Sequence, residues 1–132
     1  MAAGDRTEAR RGGGDREAIL AAAADYIEAW LDGDAERMAG CLHPQLVKRS
    51  PADGPRRAGE IESMTREDMI AATAKGLGTR HRRPWRAAVL DVHRDIAAVR
   101  VRSVPYVDYL QLVRTADRWL IVNVLWQRRN EP

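Results

Sequence analysis

An aspartate set among leucines is the residue in this chain with the clearest capacity for chemistry. Asp108 opens the run Asp108-Tyr109-Leu110-Gln111-Leu112, and Asn123 lies in the later run Trp119-Leu120-Ile121-Val122-Asn123. With Ala116-Asp117 as a hairpin turn and Thr115 facing Arg118, alternation places Asp108, Leu110, Leu112, Trp119, Ile121, Asn123 and Leu125 on one face. A carboxyl held among such neighbours loses water and its pKa rises, so near neutral pH it can act as a general base or acid. Asn123 on that face can orient a carbonyl or a water, and Leu110 and Trp119 can hold a ligand's hydrocarbon. The bland alternative is that Asp108 and Asn123 satisfy backbone groups at a strand irregularity near Pro105.

Tyr26 and Trp30 stand one helical turn apart. Aromatic pairs at that spacing usually pack in a core, but a buried phenol needs a polar partner. Tyr26 is therefore a candidate to polarise a substrate oxygen, and Trp30 a candidate wall. His43 can complement a helix C-terminus with its charge, while His81 and His93 read as solvated. The three histidines and Cys41 lack metal-ligand spacing, so no metal site is expected. Gly12-Gly13-Gly14 follows no strand and is not a phosphate loop. No cofactor is expected.

At 132 residues the chain is the size of one domain and needs no covalent staples. Its one cysteine, Cys41, precludes an intrachain disulfide and suits a reducing, cytoplasmic setting. No apolar run approaches the roughly 20 residues that span a bilayer. Residues 1–14 combine glycines and charges with no large apolar side chain after Met1, and are expected to form an unstructured tail rather than a secretory signal. The net charge of +3 is concentrated in that tail and in a basic loop over 80–86. No stacking or readout residues stand beside the loop, so neither nucleic acid nor membrane is an expected partner.

These candidates need elements to hold them. Ile19, Ala23, Tyr26, Ile27, Trp30 and Leu31 fall at helical spacing, predicting a helix from Asp15 to Asp32 with Gly33 as its C-cap. Asp34 caps a second helix carrying Met38, Cys41 and Leu42, which His43-Pro44 ends. Leu46 to Glu62 is an irregular loop or a short hairpin. Thr65 with Asp68 forms a capping box, and Met64 with Met69 a staple, for a third helix that Gly76 or Gly78 stops. After Pro84 the period becomes two, with a further hairpin turning at Arg94-Asp95. Tyr109, Gln111, Val122, Val124 and Trp126 fall opposite Asp108, on a face apolar enough to require cover by a second subunit.

Tyr26-Ile27-Glu28-Ala29-Trp30 with Gly33-Asp34-Ala35-Glu36-Arg37-Met38, then Leu42-His43-Pro44-x-Leu46-x-Lys48-Arg49, carry a resemblance, as do Val107 to Leu112 and Trp119 to Trp126. Together they resemble the nuclear transport factor two-like superfamily, in its putative lumazine-binding subgroup, over Asp15 to Arg129. The resemblance implies an α+β domain over 15–132: a cone-shaped curved antiparallel sheet on three N-terminal helices, with a pocket at its open end and homodimers through the outer sheet face. It also brings His43 and Lys48 near the pocket rim, as candidates for acid-base work or anion binding. Gln111 departs from the subgroup pattern, standing where an Asp-Tyr-Leu-His-Leu run has histidine.

Two functions fit. One is a cofactor-independent isomerase, dehydratase or cyclase acting on a small hydrophobic substrate, with Asp108 as base and Asn123 and Tyr26 polarising oxygen. The other is a non-catalytic ligand-binding or dimerisation domain. A basic tail and loop meeting an acidic partner form a third, weaker reading.

Overall fold

The apolar stripe that marks the first helix is its buried side: Ile19, Ala23, Tyr26 and Ile27 are all shielded from water. In the computed structural model, which describes residues 2–53, 55–81 and 83–129, this helix is α1, Ala2–Asp32. The tail expected over 1–14 falls, apart from Gly14, outside the residues whose side chains are described. Gly33 takes the left-handed conformation (φ 70°) that ends α1. Asp34 then caps α2, Ala35–Cys41, by accepting from the Arg37 N–H at 3.0 Å. Arg37 reaches back to Asp25 at 2.9 Å and Glu28 at 2.7 Å, which fixes α2 against α1.

Helix α2 stops at Cys41 and Leu42 already belongs to β1, Leu42–Pro51. His43 and Pro44 are thus strand residues, and His43 accepts a hydrogen bond from the Gln45 N–H instead of capping α2. Of the two readings for Leu46 to Glu62, the hairpin is found: β1 pairs antiparallel with β2, Ile61–Thr65, across a short 3-10 turn at Pro55–Arg57. The Thr65–Asp68 capping box opens α3, Arg66–Ala74, and Gly76 at φ 74° terminates it.

A meander follows: β3, Arg86–His93; β4, Ile96–Arg102; β5, Tyr106–Thr115; and β6, Arg118–Arg128. Its turns stand at Arg94-Asp95 and Ala116-Asp117, with positive φ at Arg94, Ala116 and Asp117. Strand β1 then joins the meander edge-on, parallel to β6, giving one six-stranded sheet in the order β2-β1-β6-β5-β4-β3. The sheet is therefore mixed, not purely antiparallel as the sequence suggested. The parallel partner of β1 lies far along the chain, where local periodicity carries no trace of it.

Two bulges correct the expected register. Opposite Gln111 and Leu112 in β5 stand Asn123 and Ile121, so Val122 is an extra residue in β6. Beyond it the faces exchange: Val124 and Trp126 turn inward beside Asp108 and Leu110, and Asn123 and Leu125 turn outward. Leu90 is the extra residue of β3, leaving Ala87 and Val89 to pack on the core. Extra residues bend a strand and increase its twist. The sheet accordingly curves around α1 to α3 without closing, an α+β cone. Among the described residues, no helix is long and apolar enough to cross a membrane.

Gly78, in the turn after α3, lies flat against Trp30. A Cβ at that position would stand 2.4 Å from the Trp30 carbonyl oxygen and 2.5 Å from its ring. Gly78→Ala is expected to cost about 1–3 kcal/mol through overpacking. Gly40→Ala, where a Cβ meets nothing within 4 Å, should be neutral or stabilising by up to about 1 kcal/mol. Urea titrations followed by tryptophan fluorescence compare the two, and equal midpoints would refute the packing claim.

Candidate functional site

Between α1, α3 and the ends of β1, β5 and β6 lies a cavity of about 410 Å³. That is within the usual size range of small-molecule sites. Its walls are apolar and aromatic: Ile27 and Trp30 from α1, Met69 and Ala72 from α3, Met64 from β2 and Trp126 from β6. Three polar side chains meet among them. Asp108 (β5) is 3% exposed, Tyr26 (α1) 2% and Lys48 (β1) 8%.

The local structure puts each of them there. Asp108 precedes Leu110 and Leu112 on the inward face of β5, so alternation points its carboxyl inward. Tyr26 shares the buried stripe of α1 with Ile19, Ala23 and Ile27. Lys48 alternates with the half-buried Val47 and sits opposite Val124 of β6. The Tyr26 hydroxyl donates to Asp108 Oδ2 at 2.8 Å, and Lys48 Nζ donates to Tyr26 Oη at 2.7 Å. Lys48 Nζ stands 3.9 Å from Asp108 Oδ2, so the phenol bridges the two charges. Around the ammonium are the rings of Tyr26, Trp126 and Trp30, with centroids at 5.2, 5.3 and 5.7 Å. Their electron-rich faces replace part of its lost hydration.

Burial moves all three groups toward neutrality. It raises the Asp108 carboxyl, against the opposing pull of the Lys48 charge and the Tyr26 hydrogen bond. It lowers the Lys48 ammonium, against the pull of Asp108. Burial and then the Asp108 charge push the Tyr26 phenol well above its ordinary value. The result is a short proton path in which acid and amine are drawn toward one another in affinity.

At the mouth, Tyr106 Oη and His81 Nε2 are 3.1 Å apart, and the Tyr106 ring stacks edge-on against Trp126. Arg80 and Arg128 complete a basic rim. Arg128 lies over Tyr106 at 5.7 Å and pairs with Asp53 at 3.5 Å.

Of the residues named from sequence, Asp108, Tyr26, Trp30 and Lys48 come together here. Asn123 does not: the bulge at Val122 sends it outward, where its amide donates to Gln111 Oε1 at 3.1 Å. Leu110 is fully buried core and is not part of this cavity's wall, and the Trp119 indole donates to Asp15 Oδ1 at 3.1 Å. His43 lines a separate groove on the outer face, with His93, Gln111 and Asn123. Trp126, assigned to that outer face, is in the cavity, and Val124 is core. Sequence reasoning missed Tyr106 and Arg128, and it read His81 as solvated, whereas His81 is half-buried at this mouth against Tyr106. The Met64–Met69 staple was the one local signal for this wall, since both residues line it. Burial pushes the Cys41 thiol up to about 12, which disfavours its nucleophilic thiolate form.

A curved sheet around three helices with a polar group deep in the cone defines the nuclear transport factor two-like class. Solved structures of that class superpose on the chain. A nuclear transport factor two-like protein of unknown function from Silicibacter pomeroyi is 18% identical, with a TM-score of 0.73 over 89% of this chain and 98% of that one. A ketosteroid isomerase-like protein from Erwinia carotovora atroseptica is 13% identical, with a TM-score of 0.60 over 87% and 96%. A "putative dehydratase" of the same fold from Streptomyces avermitilis is 17% identical, with a TM-score of 0.59 over 91% and 99%. No curated protein matches in sequence. The profile of the putative lumazine-binding family matches residues 14–127, and the chain belongs to that family.

Tyr26→Phe removes the hydrogen bond that helps hold the Asp108 carboxylate ionised. The Asp108 carboxyl should then titrate at higher pH than in the unaltered chain, read by carbon NMR of labelled aspartate. An unchanged or lower midpoint would show that the phenol does not support the charge.

Proposed function

We propose that the chain moves a proton on a small, largely apolar substrate in this cavity, in the manner of an isomerase, dehydratase or cyclase. The observation that carries the reading is Asp108: a carboxyl enclosed by apolar walls, with raised pKa, and hydrogen-bonded among the described residues through Oδ2 alone. Oδ1 is the oxygen left to take a proton from a carbon beside a carbonyl or hydroxyl. Lys48 spends one N–H on Tyr26 and has others for an oxygen that gains charge in the transition state. Lys48 thus takes the oxygen-polarising part that Asn123 cannot reach. The fold likeness to a ketosteroid isomerase-like protein and a putative dehydratase supports the reading by analogy only.

The test needs no natural substrate. Small cyclic ketones are incubated with the protein in deuterated water, and loss of their α-hydrogens is followed by proton NMR. Exchange should exceed the buffer rate, and Asp108→Asn, used under conditions where circular dichroism shows it folded, should lower it by roughly 10²–10⁴-fold. A second reading, ligand binding without chemistry, is favoured by the aromatic rings around Lys48. Ketones that shift the cavity tryptophan resonances yet exchange no faster than in buffer would establish it in place of the first.

Homodimerisation through the outer sheet face belongs to the same proposal, as does a reducing, cytoplasmic setting suited to the single buried Cys41 thiol. The bulges leave Tyr109, Gln111 and Val122 on the outer sheet face and turn Val124 and Trp126 inward, which changes the surface proposed for the dimer. Ile96 and Leu125 join it, 58% and 55% exposed, with Tyr109 at 47%. Sedimentation should give twice the chain mass, and Leu125→Glu should give one chain mass. A monomeric unaltered chain removes this part of the proposal.

A further inference from the structure

The sequence holds two lysines, Lys48 and Lys75, against a surface otherwise made basic by arginine. Lys75 is exposed beyond the end of α3, whereas Lys48 is enclosed in the cavity. Apart from Lys75, the permanently charged basic positions are arginines, and arginine cannot give up its proton near neutrality, whereas lysine can. The Lys48 geometry also differs from that of a plain ion pair. Its ammonium meets the Tyr26 oxygen at 2.7 Å, and Asp108 only at 3.9 Å behind it. Among the described residues, Met69 Sδ stands at 3.7 Å, three aromatic rings have centroids at 5.2, 5.3 and 5.7 Å, and the ammonium borders the cavity.

We propose that Lys48 is a nucleophilic amine that forms an imine with a small aldehyde or ketone admitted to this cavity. The inference rests on the cavity being the substrate site, and adds covalent capture to the proton transfer proposed for it.

The atoms balance within the groups present. Lys48 passes a proton to Tyr26 Oη as Tyr26 passes its own to Asp108 Oδ2, leaving a neutral amine and a carboxylic acid. The Nζ lone pair attacks the carbonyl carbon, forming the C–N bond, and the carbonyl π pair moves to oxygen. Asp108 returns its proton to that oxygen, and a proton passes from nitrogen back through Tyr26 to Asp108. The carbinolamine C–O bond then breaks as the oxygen takes this second proton and leaves as water. The sum is ammonium plus carbonyl giving protonated imine plus water, with no net proton change and no oxidant. The lowered proton affinity of Lys48 makes the first transfer accessible. The protonated imine keeps a positive charge where the ammonium had it, among the same three rings and beside the same carboxylate.

Reductive trapping tests this on the full, unaltered chain. Acetaldehyde, cyclohexanone or benzaldehyde is added with cyanoborohydride, and the alkylated lysine is located by peptide mass spectrometry, with Lys75 as internal reference. Labelling of Lys48 at least tenfold above Lys75 with one of these probes is expected, and Tyr26→Phe should slow it. Labelling of Lys48 at or below Lys75 with all three probes overturns the proposal. The two readings fail separately. Deuterium exchange without Lys48 labelling removes the imine and leaves proton transfer by Asp108. Lys48 labelling without exchange supports covalent capture and removes the proton-transfer reading.

Discussion

The cone is organised around a lysine and an aspartate withdrawn from water and joined through a phenol. Either charge alone in such a place would be strongly unfavourable, since burial of an unpaired ion costs several kcal/mol. Each therefore requires the other, and both require Tyr26 Oη between them. The three groups come from β5, β1 and α1, so their meeting fixes the spacing of helix and sheet at the cavity floor. The aromatic rings follow from the same need, because the ammonium must face something that tolerates its charge. An arrangement of this kind is weak evidence for stability and stronger evidence for use, because a well-packed apolar trio would hold the elements together at less cost.

Curvature is what lets strands so far apart in sequence supply that floor. Straight strands would carry Trp126 to the outer face and leave Lys48 without its third ring. The extra residue at Val122 turns the end of β6 over, and with it the side of the sheet that each later side chain serves. The cavity is therefore a product of an irregularity as much as of regular pairing.

This also explains what was legible in the sequence. The helices were, because each carries a complete local signature: the stripe of α1, the Asp34 cap of α2, and the reciprocal Thr65–Asp68 bonds of α3. The turns at Arg94-Asp95 and Ala116-Asp117 were legible from alternation. Asp108 and Tyr26 could be singled out because an acid among leucines and a tyrosine on an apolar stripe each lack a local partner. Asn123 was misplaced because β6 is apolar on both faces, and an inserted residue then changes the side chains' direction without disturbing the pattern. One sign of the true register was available, since Gln111 and Asn123 are natural cross-strand partners for each other's amides. The parallel pairing of β1 with β6, and the gathering of Tyr106, His81 and Arg128 at the mouth, are tertiary facts with no local signature.

The close seat of Gly78 on Trp30 has a mechanical consequence. Trp30 is a cavity wall, and the turn pressed against its outer side leads within three residues to Arg80 and His81 at the rim. No side chain cushions that contact, so displacement on one side is passed to the other. An indole pushed outward would press directly on the backbone of that turn. The cavity wall at Trp30 and the rim at Arg80 and His81 are in this way joined through a single contact between a backbone and an indole.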